Sequence, residues 1–329
     1  MGSLGVTPFG TTVDGRKVHK ITLTAGNLTV SLLTYGAILQ DLRLDGIDHP
    51  LTLGSDLLSD YEGAMCYHGP LIGPVVNRIS NARARIDGMV YELERNEKGR
   101  IHLHSGVKAA QHQVWNVETV SDDSLTLGLA LPDGMCGLPG NRQITVTYTL
   151  TPPATLTMHI TGTTDARTLM NFANHSYWNL DGTDTWAGHR LQIAADRYLP
   201  STPDDYPTGE IAGVTDTAMD FREAQQINPG APNLDHNFCL SETDEALRDV
   251  LWLQGQSGVN MTVGTTAPGI QIYDGRAAQR PGQKFYEGLA IEAQHWPDAP
   301  NNPHFPSILL APGETYQQTT RWTFSGPGA

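Results

Sequence analysis

Polar and apolar residues alternate along much of the chain, which is the pattern of β-strands with one buried face. Residues 142–151 (RQITVTYTLT) place apolar side chains on one face and threonines on the other. Residues 155–164 (TLTMHITGTT) repeat the alternation after a turn at Pro152, Pro153 and Ala154. Two alternating segments joined by a short turn predict a β-hairpin.

The same pattern recurs in three other regions of the chain. Residues 17–44 indicate three short strands separated by glycine-containing turns. Residues 84–93 indicate a hairpin that turns at Asp87 and Gly88, a favoured pair for two-residue turns. Residues 250–275 indicate three further strands. Many short strands at close spacing predict an antiparallel sandwich or barrel.

Helical periodicity is scarce in the sequence. Residues 55–63, 221–226 and 242–249 are each compatible with one or two helical turns. No linker, internal repeat or low-complexity segment separates one part of the chain from another. We therefore predict an all-β fold, a large antiparallel β-sandwich with few short helices, formed as a single domain by residues 1–329.

Composition excludes several classes of function. The formal net charge is -14 with only 21 Lys and Arg, which argues against nucleic-acid binding because that requires clustered basic residues. No run approaches the ~18 apolar residues of a membrane span, and the N-terminal residues lack the pattern of a signal peptide. The cysteines Cys66, Cys136 and Cys239 show neither disulfide nor zinc spacing. We expect a soluble, cytoplasmic protein.

Glu292 is the most distinctive candidate for chemistry. It lies in the apolar run LAIEA (289–293), which leads into a loop rich in Pro and Asn. Burial among apolar neighbours raises the pKa of a carboxyl group, and a carboxylate of that kind is suited to act as a general base near neutral pH. A surface glutamate, or one paired with an arginine, remains an alternative.

Histidines form a second group of candidates. His175 lies in the polar segment NFANHSYWNLDG (171–182). His102 and His104 are two residues apart in IHLHSG, so on a strand they would share one face. They could form half of a metal site or hydrogen-bond a substrate, although no HExxH-type ligand pair accompanies them. They could also be structural.

Arg78, Asn77 and Asp235 are candidate ligands for hydroxyl groups. Asn77 and Arg78 follow a Gly- and Pro-rich segment, and a guanidinium there can donate to several hydroxyls, although a surface arginine in an ion pair is the alternative. Asp235 follows a Pro-Asn loop, where it could accept hydrogen bonds from a sugar or simply form an Asx turn.

Three aromatic residues suit the apolar face of a pyranose ring, namely Trp178, Trp296 and Tyr273, although aromatic residues are more often part of the core. The chain contains no P-loop, no strand-borne GxGxxG and no GxSxG. The remaining inventory of His, Glu, Asp and Arg predicts acid/base chemistry on an uncharged polyol, without a cofactor.

Taken in order, these segments resemble the aldose 1-epimerase (galactose mutarotase) family. The segments that carry the resemblance are NRISNARARIDGMVYELERNE, HLHSG, PDGMCGLPGN, NHSYWNLDG, LDHNF, PGIQIYDG and LAIEAQHWPDAPNNPHFPSILLAPGETYQQTTRWTF, from about residue 35 to 324. Two departures stand out, Ser105 in place of a second glycine and Asp274-Gly275-Arg276 in place of Thr-Gly-Asn. We expect both to lie where substrate enters.

The resemblance implies a galactose mutarotase-like supersandwich that interconverts the α and β anomers of free aldoses such as galactose and glucose. Glu292 would be the general base on the C1 hydroxyl, and His175 the general acid on the ring oxygen. The sugar would be bound by Arg78, His104 and Asp235, with Asn77 in support. A monosaccharide substrate, no cofactor, no nucleic-acid or membrane partner, and a monomer or weak dimer are expected.

Two other classes of function remain open from the sequence. A glycosidase would use two carboxylates, for which Asp235 and Glu292 are available, but it would leave His175 without a role. A non-catalytic carbohydrate-binding module is also compatible with a β-sandwich, although such a module does not need both Glu292 and His175.

Because the sequence predicts acid/base chemistry without a metal, we expect chelators such as EDTA to leave activity unchanged. The measurement is the initial rate before and after dialysis against EDTA. A loss of activity that added divalent metal restores would revive the metal-site interpretation of His102 and His104.

Overall fold

The computed structural model describes residues 5–328. Its strands in the first half of the chain are β1 (Val6–Thr11), β2 (Lys17–Ala25), β3 (Leu28–Leu33), β4 (Ile38–Leu44), β5 (Leu71–Ile72), β6 (Arg78–Ile79), β7 (Arg83–Ile86), β8 (Met89–Glu92), β9 (His102–Leu103), β10 (Asn116–Val120), β11 (Ser124–Leu131), β12 (Arg142–Thr151) and β13 (Thr155–Thr164). Those in the second half are β14 (Thr168–Leu169), β15 (Ala173–Asn174), β16 (Tyr177–Trp178), β17 (Arg190–Ile193), β18 (Arg197–Leu199), β19 (Ala212–Gly213), β20 (Gln225–Gln226), β21 (Asp235–Cys239), β22 (Arg248–Gln254), β23 (Asn260–Thr265), β24 (Gly269–Tyr273), β25 (Leu289–Gln294), β26 (Leu309–Leu310) and β27 (Tyr316–Ser325).

The largest sheet has nine strands in the order β10-β11-β12-β13-β27-β23-β22-β17-β20. Its central strands show why the alternating sequence forms a sheet. In β13 the side chains of Leu156, Met158 and Ile160 are fully buried, whereas Thr157 and His159 between them are only partly buried. One face of the sheet therefore packs on the core, and the other face meets solvent.

A six-stranded sheet, in the order β16-β25-β24-β21-β18-β19, packs against the same core. Its strand β25 is buried at every position. Leu289 and Ile291 face the main hydrophobic cluster, which also contains Ile160 and Trp322 of the large sheet. The predicted all-β antiparallel sandwich is thus confirmed, with an apolar layer held between two sheets.

Shorter ladders carry the loops that border the six-stranded sheet. A four-stranded sheet, β1-β2-β3-β4, adds its apolar side chains to the core, and β7 pairs with β8 as the predicted hairpin. In the β6–β9 ladder Arg78 lies opposite Leu103, and in the β5–β15 ladder Asn174 lies opposite Leu71. These two ladders position the polar residues described below.

The strand predictions for residues 17–44, 84–93 and 250–275 are confirmed, as is the 142–164 hairpin. One helical prediction also holds, because α1 (Leu58–Tyr61) lies within residues 55–63.

The other two helical predictions are wrong. Residues 221–226 end in β20, and residues 242–249 form bends that enter β22. Each segment carries too few apolar residues at helical spacing to bury a face, so pairing with neighbouring strands prevails.

Four short 3₁₀ turns, at residues 80–82, 110–112, 135–137 and 299–301, complete the helical structure of residues 5–328. No helix in this range is long and apolar enough to cross a membrane.

The packing predicts the cost of changing the core. Ile160 is fully buried at the centre of the large sheet, so Ile160→Ala should lower the free energy of unfolding by about 2–5 kcal/mol. Thr163 is exposed on the same strand, and Thr163→Ala should change it by no more than about 0.5 kcal/mol. Urea unfolding followed by circular dichroism measures both. Equal effects of the two substitutions would contradict the assigned faces of β13.

Candidate active site

A cleft of about 400 Å³ opens on the face of the six-stranded sheet that is turned away from the core. This volume is in the usual range for small-molecule sites. The residues that line it are Ala64, Tyr67, His68, Asn77, Arg78, Glu97, Lys98, Leu103, His104, His175, Tyr177, Asp205, Asp235, Tyr273, Arg276, Ala277, Ala278 and Glu292. The six residues to which the family resemblance assigns a role are among them.

Strand register explains why the floor of the cleft is polar. Glu292 of β25 lies directly opposite Gln271 of β24, which lies opposite Asn237 of β21. Two residues along the same strands, Tyr273 lies opposite Asp235. Directly opposed residues share a face, and so do residues two apart. The isoleucines between them on β24 and β25 point to the core, so one sheet separates the hydrophobic interior from a polar floor.

Glu292 and His175 meet at the bottom of this cleft. Glu292 Oε1 lies 3.4 Å from His175 Nε2, and the two side chains are 2% and 5% exposed. Burial, reinforced by the negative charge of Asp235, raises the pKa of Glu292 well above its usual range. Burial, with a further contribution from the positive charge of Arg78, lowers the pKa of His175 to about 4. Between these two pKa values the pair holds a single proton.

The main chain fixes the position of His175. Its backbone N–H donates to the carbonyl of Pro70 at 2.9 Å, and its carbonyl accepts from the N–H of Gly69 at 3.0 Å. Its ring centroid lies 5.2 Å from that of Tyr177 and 6.0 Å from that of Tyr67. These contacts leave the imidazole little freedom to turn away from Glu292.

His104 is held as a neutral hydrogen-bond donor. The backbone N–H of Asn77 donates to His104 Nδ1 at 3.0 Å, so that nitrogen must be unprotonated and the proton must be on Nε2. Burial, then the positive fields of His175 and Arg78, keep the pKa of His104 well below its usual range. The His104 and His175 rings meet edge to face at 5.3 Å. His104 therefore offers an Nε2–H rather than a positive charge.

The prediction that His102 and His104 share one strand face is wrong. Strand β9 ends at Leu103, and His104 follows in a left-handed conformation with a φ of 52°. The alternation stops there, so His104 reaches the cleft. His102 is buried, with its Nδ1 2.7 Å from the carbonyl oxygen of Glu94. Residues 5–328 contain no group of three or more His, Cys, Asp or Glu side chains placed to hold a metal ion.

Arg78 and Asp235 form a buried ionic network at one wall of the cleft. Arg78 Nη1 lies 3.2 Å from Asp235 Oδ2, and Gln271 Nε2 donates to Asp235 Oδ1 at 2.7 Å. The Nε and Nη2 atoms of Arg78 donate to the two carboxylate oxygens of Glu97 at 2.9 and 3.1 Å. Burial by itself lowers the pKa of Arg78, but Asp235 and Glu97 outweigh it and raise that pKa above its usual value. Arg78 is therefore a permanent, oriented cation.

Asn77 connects these two parts of the site. It has a left-handed φ of 67°, which few residue types other than Gly, Asn and Asp adopt readily. Its carbonyl accepts from the N–H of His104 at 3.0 Å, and its side-chain Oδ1 accepts from the N–H of Arg78 at 2.7 Å. Asn77 thus fixes the backbone from which Arg78 and the His104 ring are directed into the cleft.

A family model described as aldose 1-epimerase matches residues 19–323. The chain belongs to the aldose 1-epimerase family. It is 34% identical to the galactose mutarotase of Rattus norvegicus over 343 aligned positions, covering 99% of each chain. It is 30% identical to the aldose 1-epimerase of Escherichia coli K12, covering 94% of this chain and 96% of that one. A solved GalM/aldose epimerase homologue from C. elegans has a TM-score of 0.87 at 30% identity, covering 94% and 99% of the chains.

Of the three aromatic residues that the sequence suggested for sugar binding, only one lines the aldose 1-epimerase cleft. Tyr273 lines the cleft, but Trp178 is fully buried against Trp322 on the core side. Trp296 is also buried, and its Nε1–H donates to the carbonyl of Pro268 at 3.0 Å. Each indole is thus part of the packing and not of the site.

Sequence reasoning missed Tyr67, His68, Tyr177 and Gln271. For two of them a signal was present. Tyr177 is two residues from His175, and Gln271 is two residues from Tyr273, so period two places each on the cleft face. Tyr67 and His68 lie in a turn segment, where no periodicity indicates direction.

The two departures from the aldose 1-epimerase pattern lie in different places. Ser105 is fully buried, and its hydroxyl bonds the N–H and carbonyl of Val75 at 2.7 and 2.9 Å, so it is away from the opening. Arg276 does line the cleft, with its Nε donating to Asp274 at 2.9 Å. Only the second departure is therefore next to the substrate space.

Proposed function

We propose that this protein is an aldose 1-epimerase that interconverts the α and β anomers of free aldoses of the galactose and glucose type. The observation that supports this most directly is the buried contact of Glu292 with His175, 3.4 Å apart at the bottom of a cleft that is polar on its floor. Membership of the aldose 1-epimerase family supplies the reaction class. The names of the relatives, galactose mutarotase among them, suggest the substrate.

The reaction needs two proton transfers at once. The Glu292 carboxylate removes the proton from the C1 hydroxyl while the His175 imidazolium protonates the ring oxygen O5. The C1–O5 bond breaks, C1 becomes an aldehyde carbon, and the C5 oxygen becomes a hydroxyl. Rotation about C1–C2 presents the other carbonyl face, and the same proton transfers in reverse close the ring. Each positioned transfer is typically worth about 10²–10⁴ in rate.

The Glu292–His175 pair holds the same number of protons before and after ring opening. The ring form requires a carboxylate with an imidazolium, and the open form requires a carboxylic acid with a neutral imidazole. Both states contain one proton and the same net charge. Burial disfavours the separate charges, raising the pKa of Glu292 and lowering that of His175, so relative to water the equilibrium shifts from the carboxylate–imidazolium state toward the carboxylic acid with a neutral imidazole.

The remaining polar residues are suited to bind and orient the sugar. Arg78 and the Nε2–H of His104 donate to hydroxyl oxygens, and Asp235 accepts from hydroxyl protons. Asn77 acts through the backbone of the other residues. The tyrosine rings at positions 67, 177 and 273 offer apolar surface to the carbon face of the ring.

The other function classes have less support from the site. A glycosidase would need Asp235 as a second catalytic carboxylate, yet Arg78 and Gln271 already bind its two oxygens. A non-catalytic module would not require a buried acid/base pair. Activity on glucose, a cytoplasmic location, a monomer or weak dimer, and the absence of nucleic-acid and membrane partners stay predictions.

We expect polarimetry of freshly dissolved α-D-galactose to show a faster approach to the same final rotation when the protein is present. Glu292→Gln and His175→Asn should each lower kcat by about two to four decades, because each removes one proton transfer. Matched controls are Glu92→Gln, in an exposed ion pair, and His159→Asn, on the outer side of the large sheet. Wild-type turnover in either site variant would contradict the assigned role.

We expect kcat/KM to depend on pH as a bell. Below a pH of about 4 the pair gains a second proton as His175 is protonated, and above the raised pKa of Glu292 it loses its only proton. Activity should therefore fall on both sides of a plateau that lies between these two pKa values, each limb approaching a slope of one on a logarithmic plot. Rates after subtraction of the uncatalysed reaction measure this. A single rising limb with no alkaline fall would contradict the shared proton.

A further inference from the structure

The guanidinium of Arg78 is bound by a carboxylate that none of the roles above includes. Glu97 Oε2 and Oε1 accept from Arg78 Nε and Nη2 at 2.9 and 3.1 Å, which is a bidentate fork. The side chains of Arg78 and Glu97 are only 12% and 18% exposed. An ion pair this sheltered differs from the exposed pairs on the surface, which contribute little. Because two N–H groups bond one carboxylate, the bidentate pair also fixes the orientation of the guanidinium.

Both members of this ion pair are attached to the same ladder. Asn96 exchanges two hydrogen bonds with the backbone of Leu103, each of 2.8 Å, and Leu103 pairs with Arg78 between β9 and β6. Glu97 itself closes a tight turn, in which its N–H and carbonyl bond to the backbone of Ile101 at 3.1 and 3.0 Å. The carboxylate of Glu97 is thus fixed relative to the backbone of Arg78.

Ion pairs join this turn to the opposite wall of the cleft. Lys98 Nζ lies 3.0 Å from Asp205 Oδ2, and Arg100 pairs with Asp204. The carbonyl of Asp205 accepts from Arg78 Nη1 at 3.2 Å. Arg78 therefore lies where the 97–101 turn, the 202–206 turn and the floor strand that carries Asp235 converge.

The bond to Glu97 restricts which N–H groups of Arg78 can bond other residues. A guanidinium has five N–H groups. Nε and one Nη2–H bond Glu97, and Nη1 bonds Asp235 and the carbonyl of Asp205, at 3.2 Å each. One Nη2–H has no acceptor among residues 5–328. Glu97 thereby determines which edge of the guanidinium faces Asp235 and which donor remains for a ligand.

We propose that Glu97 is a positioning residue for sugar binding, which acts by holding the Nε edge of Arg78 so that Asp235 receives only one N–H bond from Arg78. This inference rests on the proposed function, in which Arg78 and Asp235 bind the sugar. Without Glu97 the guanidinium is free to turn and form a fork with Asp235 instead. That fork would cover the carboxylate oxygens that the sugar hydroxyls need.

The test is steady-state mutarotation of α-D-galactose by Glu97→Gln, which keeps the shape of the side chain but removes its charge. We expect KM to rise about 10- to 100-fold, the usual effect of losing a charge-assisted hydrogen bond. We expect kcat to stay within about two-fold, because the lost binding is common to ground and transition states. Glu97→Asp keeps the charge and should recover part of the affinity. Glu92→Gln, which breaks the exposed pair with Arg83, is the matched control and should change neither constant.

The possible outcomes separate three cases. If Glu97 were merely structural, its substitution would lower the melting temperature and the active fraction, so kcat would fall with KM unchanged. A wild-type KM in Glu97→Gln, with the wild-type protein active, would overturn the positioning role alone. No acceleration by the wild-type protein would overturn the proposed function itself. Equilibrium galactose binding to Glu292→Gln with and without Glu97→Gln gives a readout that does not depend on turnover.

Discussion

The site depends on the burial of one carboxylate, that of Glu292. Both faces of strand β25 are buried. One face packs on the hydrophobic core, and the other forms part of the cleft floor. A carboxylate placed there loses most of its hydration, so its charged form is destabilised and its pKa rises. The nearest compensation is the imidazole of His175, whose own burial lowers its pKa. The two groups are therefore linked through one proton, which is the property that acid/base chemistry on a hemiacetal requires.

Around this pair, His68 and His104 are neutral and Arg78 lies in ion pairs. Burial lowers the pKa of His68 to about 3 and keeps that of His104 well below its usual range, so both rings are neutral near pH 7. The charge of Arg78 is balanced by Asp235 and Glu97, which lie within hydrogen-bond distance of it. The cleft thus presents oriented donors and acceptors to an uncharged sugar with little uncompensated charge.

Backbone conformation, and not strand geometry alone, directs several of these side chains. Asn77 and His104 both adopt a left-handed φ at the edges of a two-residue ladder. The His104 N–H donates to the Asn77 carbonyl, and the Asn77 N–H donates to His104 Nδ1, so the His104 ring leaves the strand direction and enters the cleft. The histidine before it, His102, keeps the strand direction and is buried elsewhere. Two residues of the same type, two positions apart, therefore have different surroundings.

The sequence by itself determined the fold class and indicated six of the residues that line the cleft. Alternation of period two is a local property, so it predicted the 142–164 hairpin and the strands of residues 17–44, 84–93 and 250–275. The ordered motifs indicated His175, Arg78, His104, Asp235 and Asn77, all of which line the cleft. Sequence patterns did not predict the direction of side chains whose contacts come from distant segments of the chain. Only tertiary structure decided that Trp178 and Trp296 are core residues and that Glu97 binds Arg78, because these contacts join segments whose separation along the chain carries no periodic signal.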